Sequence, residues 1–138
     1  MNRRHFLATV SATAATAILP MPTYAAEDAL RLKAEAVTQQ ILPDGDGATS
    51  MLGFNGSMPG PELRVLRGER VNIAVENGLE EGTAVHWHGI RLENQMDGVP
   101  MLTQELIEPS DTKTYSFIPP DEGTYWYHSH YISHEQVA

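Results

Sequence analysis

The chain has 138 residues with Lys+Arg 9 against Asp+Glu 18, a formal charge of −9, which allows one modest domain and argues against a nucleic-acid partner. It contains no cysteine, so neither a disulfide framework nor a Cys-ligated zinc, iron–sulfur or blue-copper site can be built from it. Any metal must be held by His, Asp or Glu.

The start reads as an export signal. Arg3 and Arg4 stand directly before a weakly apolar, alanine- and threonine-rich run to Leu19, and Thr23-Tyr24-Ala25 offers small residues where a signal peptidase reads. The pattern predicts a twin-arginine signal over 1–25, cut after Ala25, and a mature domain over 26–138 delivered to the periplasm. An ordinary Sec signal is the competing reading. A membrane anchor is not expected, because the apolar run is too short to span a bilayer.

From Leu30 to Ile41, Leu30, Leu32, Ala34 and Ala36 alternate with Arg31, Lys33 and Glu35 as a strand would, with a helix as the competing assignment. Pro43-Asp44-Gly45-Asp46-Gly47 is a turn or loop, and a short apolar run to Phe54 ends in a second turn at Asn55-Gly56. Met58-Pro59-Gly60-Pro61 stiffens the chain before Leu63, Val65 and a turn at Arg67-Gly68-Glu69. From Arg70 to Glu76 the alternation is strict, with Val71, Ile73 and Val75 predicted inward.

Turns at Asn77-Gly78 and Glu81-Gly82 lead into Thr83-Ala84-Val85-His86-Trp87-His88-Gly89, a predicted strand ending in two histidines one residue apart. Residues 93–111 form a long loop, of the length that in compact domains is either functional or disordered. Thr112 to Ile118 is a further strand. After the turn at Pro119-Pro120-Asp121-Glu122-Gly123, Thr124 to His130 carries Trp126-Tyr127-His128-Ser129-His130, a second histidine pair. Many short strands separated by Gly and Pro turns predict an all-β sandwich or barrel.

Successive side chains on a strand point to opposite faces, so His86 and His88 share one face, as do His128 and His130, while Val85, Trp87, Tyr127 and Ser129 face the other way. Four imidazoles without a thiolate favour a borderline metal such as copper or zinc. Side chains two apart on a strand start roughly 6 to 7 Å from each other. Two nitrogens on one metal come within about 3 to 3.5 Å. Each pair can therefore converge on one ion, or its members can serve different ions. His134 stands alone beyond His130. Trp87, Tyr125, Trp126 and Tyr127 are expected to pack the core or wall the site. Met51, Met58, Met96 and Met101 lack a copper-binding spacing and are expected to be packing or surface residues.

In order along the chain, Phe54-Asn55-Gly56, Pro59-Gly60-Pro61, Gly68-Glu69, Val85-His86-Trp87-His88-Gly89-Ile90, Met96-Asp97-Gly98-Val99-Pro100 with Thr103-Gln104, and Gly123-Thr124-Tyr125-Trp126-Tyr127-His128-Ser129-His130 resemble the N-terminal cupredoxin domain of multicopper oxidases, the family of laccases and bacterial copper-resistance oxidases. The resemblance implies a cupredoxin-like Greek-key β-sandwich, here without its last strand. It implies copper as cofactor, with His86 on a type 2 copper and His88, His128 and His130 on the type 3 coppers of a trinuclear centre. It makes Asp97 a proton relay to dioxygen, which is reduced to water at the expense of an unidentified reducing substrate.

In that family the remaining ligands and the type 1 copper come from a C-terminal cupredoxin domain. Missing cupredoxin domains or another chain are thus the implied partners. Alone, this chain is expected to bind copper without oxidase activity and to expose strand edges that favour pairing or aggregation. A non-enzymatic exported copper-binding module and a mononuclear His-ligated zinc or iron enzyme remain open beside this reading.

Overall fold

Alternating apolar residues mark β3, β4 and β5 among the six strands of the computed structural model, which describes residues 29–137: β1 (Leu30–Gln39), β2 (Thr49–Phe54), β3 (Val71–Asn77), β4 (Val85–His88), β5 (Thr112–Phe117) and β6 (Trp126–Ser129). The expected signal segment lies outside the described residues. Among the described residues no helix is long and apolar enough to cross a membrane.

Four strands form one sheet of order β2-β1-β3-β5. Within it β1 pairs antiparallel with β2 and parallel with β3, and β3 pairs antiparallel with β5. β4 and β6 form a second, antiparallel sheet. Side chains of both sheets meet in one core: Leu32, Val71, Ile73, Val75, Tyr115 and Phe117 from the first, Val85 and Trp87 from the second, with Ile107. The expected all-β sandwich is therefore the fold observed.

β3 keeps its predicted alternation, with Val71, Ile73 and Val75 buried. Of the Leu30–Ile41 segment, Leu30–Gln39 is strand and not helix, because Leu32 and Ala34 enter the core while the backbone between β2 and β3 is needed to complete both ladders. Its alternation slips at Ala36, which is exposed, and resumes inward at Val37.

Loop 93–111 is ordered against the sandwich. Asn94–Met96 makes one 3-10 turn, Thr83 and Ile107 exchange backbone hydrogen bonds of 3.0 and 2.8 Å, and Ile107 is buried. Asn77, fully buried at the end of β3, secures the far end of the loop. Its Nδ2 donates to the carbonyls of Glu81 and Ile107, both at 2.8 Å, and its Oδ1 accepts the Leu79 N–H at 2.9 Å. A buried amide so fully satisfied costs little to desolvate and ties the turn after β3 to the loop at Ile107.

Candidate metal centre

The inward residues of β4 and β6 decide where the histidines point. Val85 and Trp87 are buried, and Trp87 packs at ring-centroid distances of 5.3 Å from Tyr115, 5.5 Å from Phe117 and 5.9 Å from Tyr127. Burying side chains of this size stabilises by about 1.5–3 kcal/mol each, enough to fix which face of the strand looks inward. His86 and His88 are left on the outer face, and so is His128 of β6, where Ser129 turns inward. The ladder register sets Val85 opposite Ser129, His86 opposite His128, Trp87 opposite Tyr127 and His88 opposite Trp126. Gly89, at φ 86°, and the Ile90 N–H bond to the Trp87 carbonyl at 3.2 Å end β4 immediately after His88.

One ring nitrogen from each of His86, His88 and His128 lies within 4.8 Å of the other two. His88 Nδ1 and His128 Nε2 are 3.3 Å apart. His130 follows β6 and stands beside this trio, its ring 5.3 Å from that of His86 and 6.2 Å from that of His128. His134 is not part of the group; it is exposed, with Nε2 3.6 Å from Glu135.

Two of the rings are oriented by the backbone. His86 Nδ1–H donates to the Asp97 carbonyl at 2.6 Å and His128 Nδ1–H donates to the Ser129 carbonyl at 2.7 Å. A carbonyl can only accept, so both rings carry their proton on Nδ1 and keep an acceptor lone pair on Nε2, which in His128 faces His88 Nδ1. Burial pushes the His128 imidazole below its ordinary value. The Ser129 carbonyl pulls the other way, and His86, His88 and His130 add to the depression. Neutral imidazole is the form that ligates a metal.

Asp97 reaches His86 twice, through its carbonyl and through carboxylate Oδ1 at 3.4 Å from Nδ1. Gly98 makes that approach possible: it is buried at φ 79°, and a Cβ there would overlap the Val85 carbonyl. Val99 and Thr103 hold the following turn through bonds of 2.9 and 3.1 Å between the Thr103 hydroxyl and the Val99 backbone.

Of the four aromatics expected in the core or around the site, Trp87 is core and Tyr127 is half-buried, donating its hydroxyl to the Pro61 carbonyl at 2.8 Å. Trp126 walls the site from outside: it is 52% exposed and stacks on His128 with centroids 4.1 Å apart. Tyr125 is exposed and lies over Gly89. Met96 packs against the core and accepts the Ser116 N–H on its sulfur, while Met58 and Met101 are exposed. Sequence patterns gave no sign of buried Gln136, whose amide joins Thr83 to Ser129 behind the histidines. A polar residue at a strand-free terminus carries no periodicity by which to find it.

Residues 35–138 match the family described as Multicopper oxidase. The chain is 39% identical over 145 aligned positions to Copper resistance protein A of Escherichia coli, covering 98% of this chain and 24% of that protein. It is 45% identical over 100 positions to Laccase-1 of Botryotinia fuckeliana, covering 70% of this chain and 18% of that one. Among solved structures, Lac15 from a marine microbial metagenome superposes with a TM-score of 0.72 at 53% identity, over 75% of this chain and 28% of that chain. The Blue Copper Oxidase of Nitrosomonas europaea gives 0.73 at 35% identity, over 78% and 34%. The chain thus spans about a quarter of the length of its Escherichia coli relative.

Proposed function

Since the chain belongs to the multicopper oxidase family, we propose that it is the N-terminal cupredoxin part of an exported oxidase and supplies half of the ligands of a trinuclear copper centre. The observation that carries this reading is the pairing of His86 with His128 across β4 and β6, each with Nδ1 held by a carbonyl and Nε2 left as the ring's lone-pair nitrogen. Copper suits what these side chains offer. The donors are imidazoles alone, and the 3.3 Å between His88 Nδ1 and His128 Nε2 is the separation of two ligands on one ion bound at about 2 Å.

By the family resemblance His86 would hold the type 2 copper and His88, His128 and His130 would hold the type 3 coppers. Bound copper supplies the electron transfer and Lewis acidity for four-electron reduction of dioxygen to water. The chain's own residues prepare the site for that reaction. The carbonyls of Asp97 and Ser129 fix two ring orientations, as outer-shell acceptors do in metal sites. The Asp97 carboxylate, 3.4 Å from His86 Nδ1, is placed to relay protons that dioxygen reduction would consume. Trp126 covers the outer side of His128, and Val85 and Trp87 seal the side toward the core.

The reducing substrate and the cupredoxin domains or partner chain that complete the centre belong to the whole protein. Residues 1–25 are proposed as a twin-arginine signal that directs it to the periplasm.

A mononuclear site is a second reading, favoured by the gathering of His86, His88 and His128 with His130 to one side. Metal analysis after equilibration with copper, zinc and iron separates the two. Preferential copper uptake that requires both His128 and His130 supports the oxidase reading. One zinc or iron per chain, with His130 dispensable, overturns it.

A further inference from the structure

Behind the histidine face lies a closed hydrogen-bond group to which the proposed chemistry assigns no part. Gln136 belongs to the short helix α1 (Ser133–Gln136) and is buried. Its Oε1 accepts from the hydroxyls of Thr83 at 2.8 Å and Ser129 at 2.6 Å, and its Nε2 donates to the Gly82 carbonyl at 3.0 Å. Thr83 and Ser129 are themselves buried, with hydroxyls 3.3 Å apart. Thr83 leads into the strand that carries His86 and His88, and Ser129 lies between His128 and His130.

From this geometry we infer that Gln136 is a positioning residue for the histidine cluster, acting above all on His130; the inference rests on the metal-binding reading given above. His130 lies past the end of β6, outside the ladder that fixes His86 and His128. It is held by its own N–H bond to the Ala84 carbonyl at 2.9 Å and, on its far side, by the Tyr131 N–H bond to Ser129 Oγ at 3.2 Å. Ser129 Oγ accepts from Tyr131 while its own proton is shared between Gln136 Oε1 at 2.6 Å and, more weakly, the Tyr131 carbonyl at 3.3 Å, so the short bond to Gln136 fixes where the hydroxyl sits. An amide is the side chain that suits this place. It accepts from two hydroxyls and donates to a carbonyl without a charge, whereas an apolar residue would remove the shortest acceptor of both hydroxyls and leave only contacts of 3.3 Å, and a carboxylate would face the Gly82 carbonyl. Gln136 thereby ties the entry to the first histidine strand to the exit from the second.

The test uses the full chain with Gln136→Met, which keeps the side-chain length and removes the amide. Amide hydrogen exchange without metal should show protection at His130 and Tyr131 reduced more than about tenfold, with the β3 and β5 amides unchanged. The His130 ring resonances should broaden or shift. Gln136→Glu, which retains an acceptor for both hydroxyls, should recover part of the lost protection. Cu(II) titration followed by electron paramagnetic resonance should show altered nitrogen couplings and weaker uptake in Gln136→Met. Unchanged exchange at His130 and Tyr131 overturns the inference. If Gln136→Met does not fold, Gln136→Asn decides: its amide, one methylene short of the two hydroxyls, should loosen His130 and Tyr131, and unchanged exchange there overturns the inference. If the unmodified chain takes up no copper, the metal reading fails on its own, and hydrogen exchange still decides whether Gln136 positions His130.

Discussion

His86 stands opposite His128 in the β4–β6 ladder, and each ring gives its Nδ1 proton to a carbonyl, of Asp97 in one case and Ser129 in the other. The pair is thus preset as two Nε2 donors on one face before any ion arrives. His86→Ala and His128→Ala should each lower Cu(II) affinity by more than the roughly 10- to 100-fold that loss of an outer-shell partner costs. Isothermal titration of the full chain measures this. His134→Ala, at an exposed ring outside the group, should match the unmodified chain.

Gly98→Ala should destabilise the fold by at least about 2 kcal/mol, because φ 79° is strained for alanine and the new Cβ overlaps the Val85 carbonyl. The Asp97 carbonyl would be pushed off His86, so copper affinity should fall with stability. Urea unfolding and copper titration of the same variant measure both effects; unchanged copper affinity would detach Asp97 from the orientation of His86.

Tyr115→Phe should cost about 1–3 kcal/mol, since the Tyr115 hydroxyl accepts the buried Val85 N–H at 3.1 Å and phenylalanine leaves that donor unpaired. Val85 precedes His86, so the loss falls on the strand that carries the first two ligands. A shift in the urea midpoint with an unchanged slope is the expected result.

Alkaline pH should unfold the chain in part through Tyr127. Burial pushes its hydroxyl up to about 12, so the folded state keeps a proton that an unfolded tyrosine gives up near pH 10. Stability from this group is complete below about pH 10 and is lost as pH rises toward 12. Burial raises Tyr115 as well, so Tyr127→Phe should flatten the alkaline decline of the urea midpoint without abolishing it. An identical decline in the variant would remove Tyr127 as a cause.

Much of this architecture was legible in the sequence because its signals are periodic. Val71, Ile73 and Val75 announce β3, and Val85 and Trp87, by facing the core, turn His86 and His88 outward. The Leu30–Ile41 segment was ambiguous between strand and helix because small alanines fit both, and the slip at Ala36 breaks the only regularity there. What period could not reveal were contacts made by single polar groups across long separations: Asn77 to Ile107, Gln136 to Thr83, and the Asp97 carbonyl to His86. The family resemblance singled out Asp97 for its carboxylate, yet its shortest contact to His86 is through the main chain. Trp126 illustrates the limit of hydrophobicity as a guide. It is a large apolar residue left half in solvent, because its place in β6 opposite His88 puts it on the imidazole face.

His88 and His128 are 40 residues apart in sequence, yet their nitrogens lie 3.3 Å from each other. Bringing such distant points together by chance costs an unfolded chain about 3 kcal/mol in loop-closure entropy, beyond a constant. An ion gripped by both rings would act as a cross-link, restricting the unfolded ensemble as a disulfide does over a loop of that length, by about 4 kcal/mol. For a chain without cysteine, the imidazoles proposed as copper ligands would also be its staple, and a chelator should lower its melting temperature as a reductant lowers that of a disulfide-linked domain.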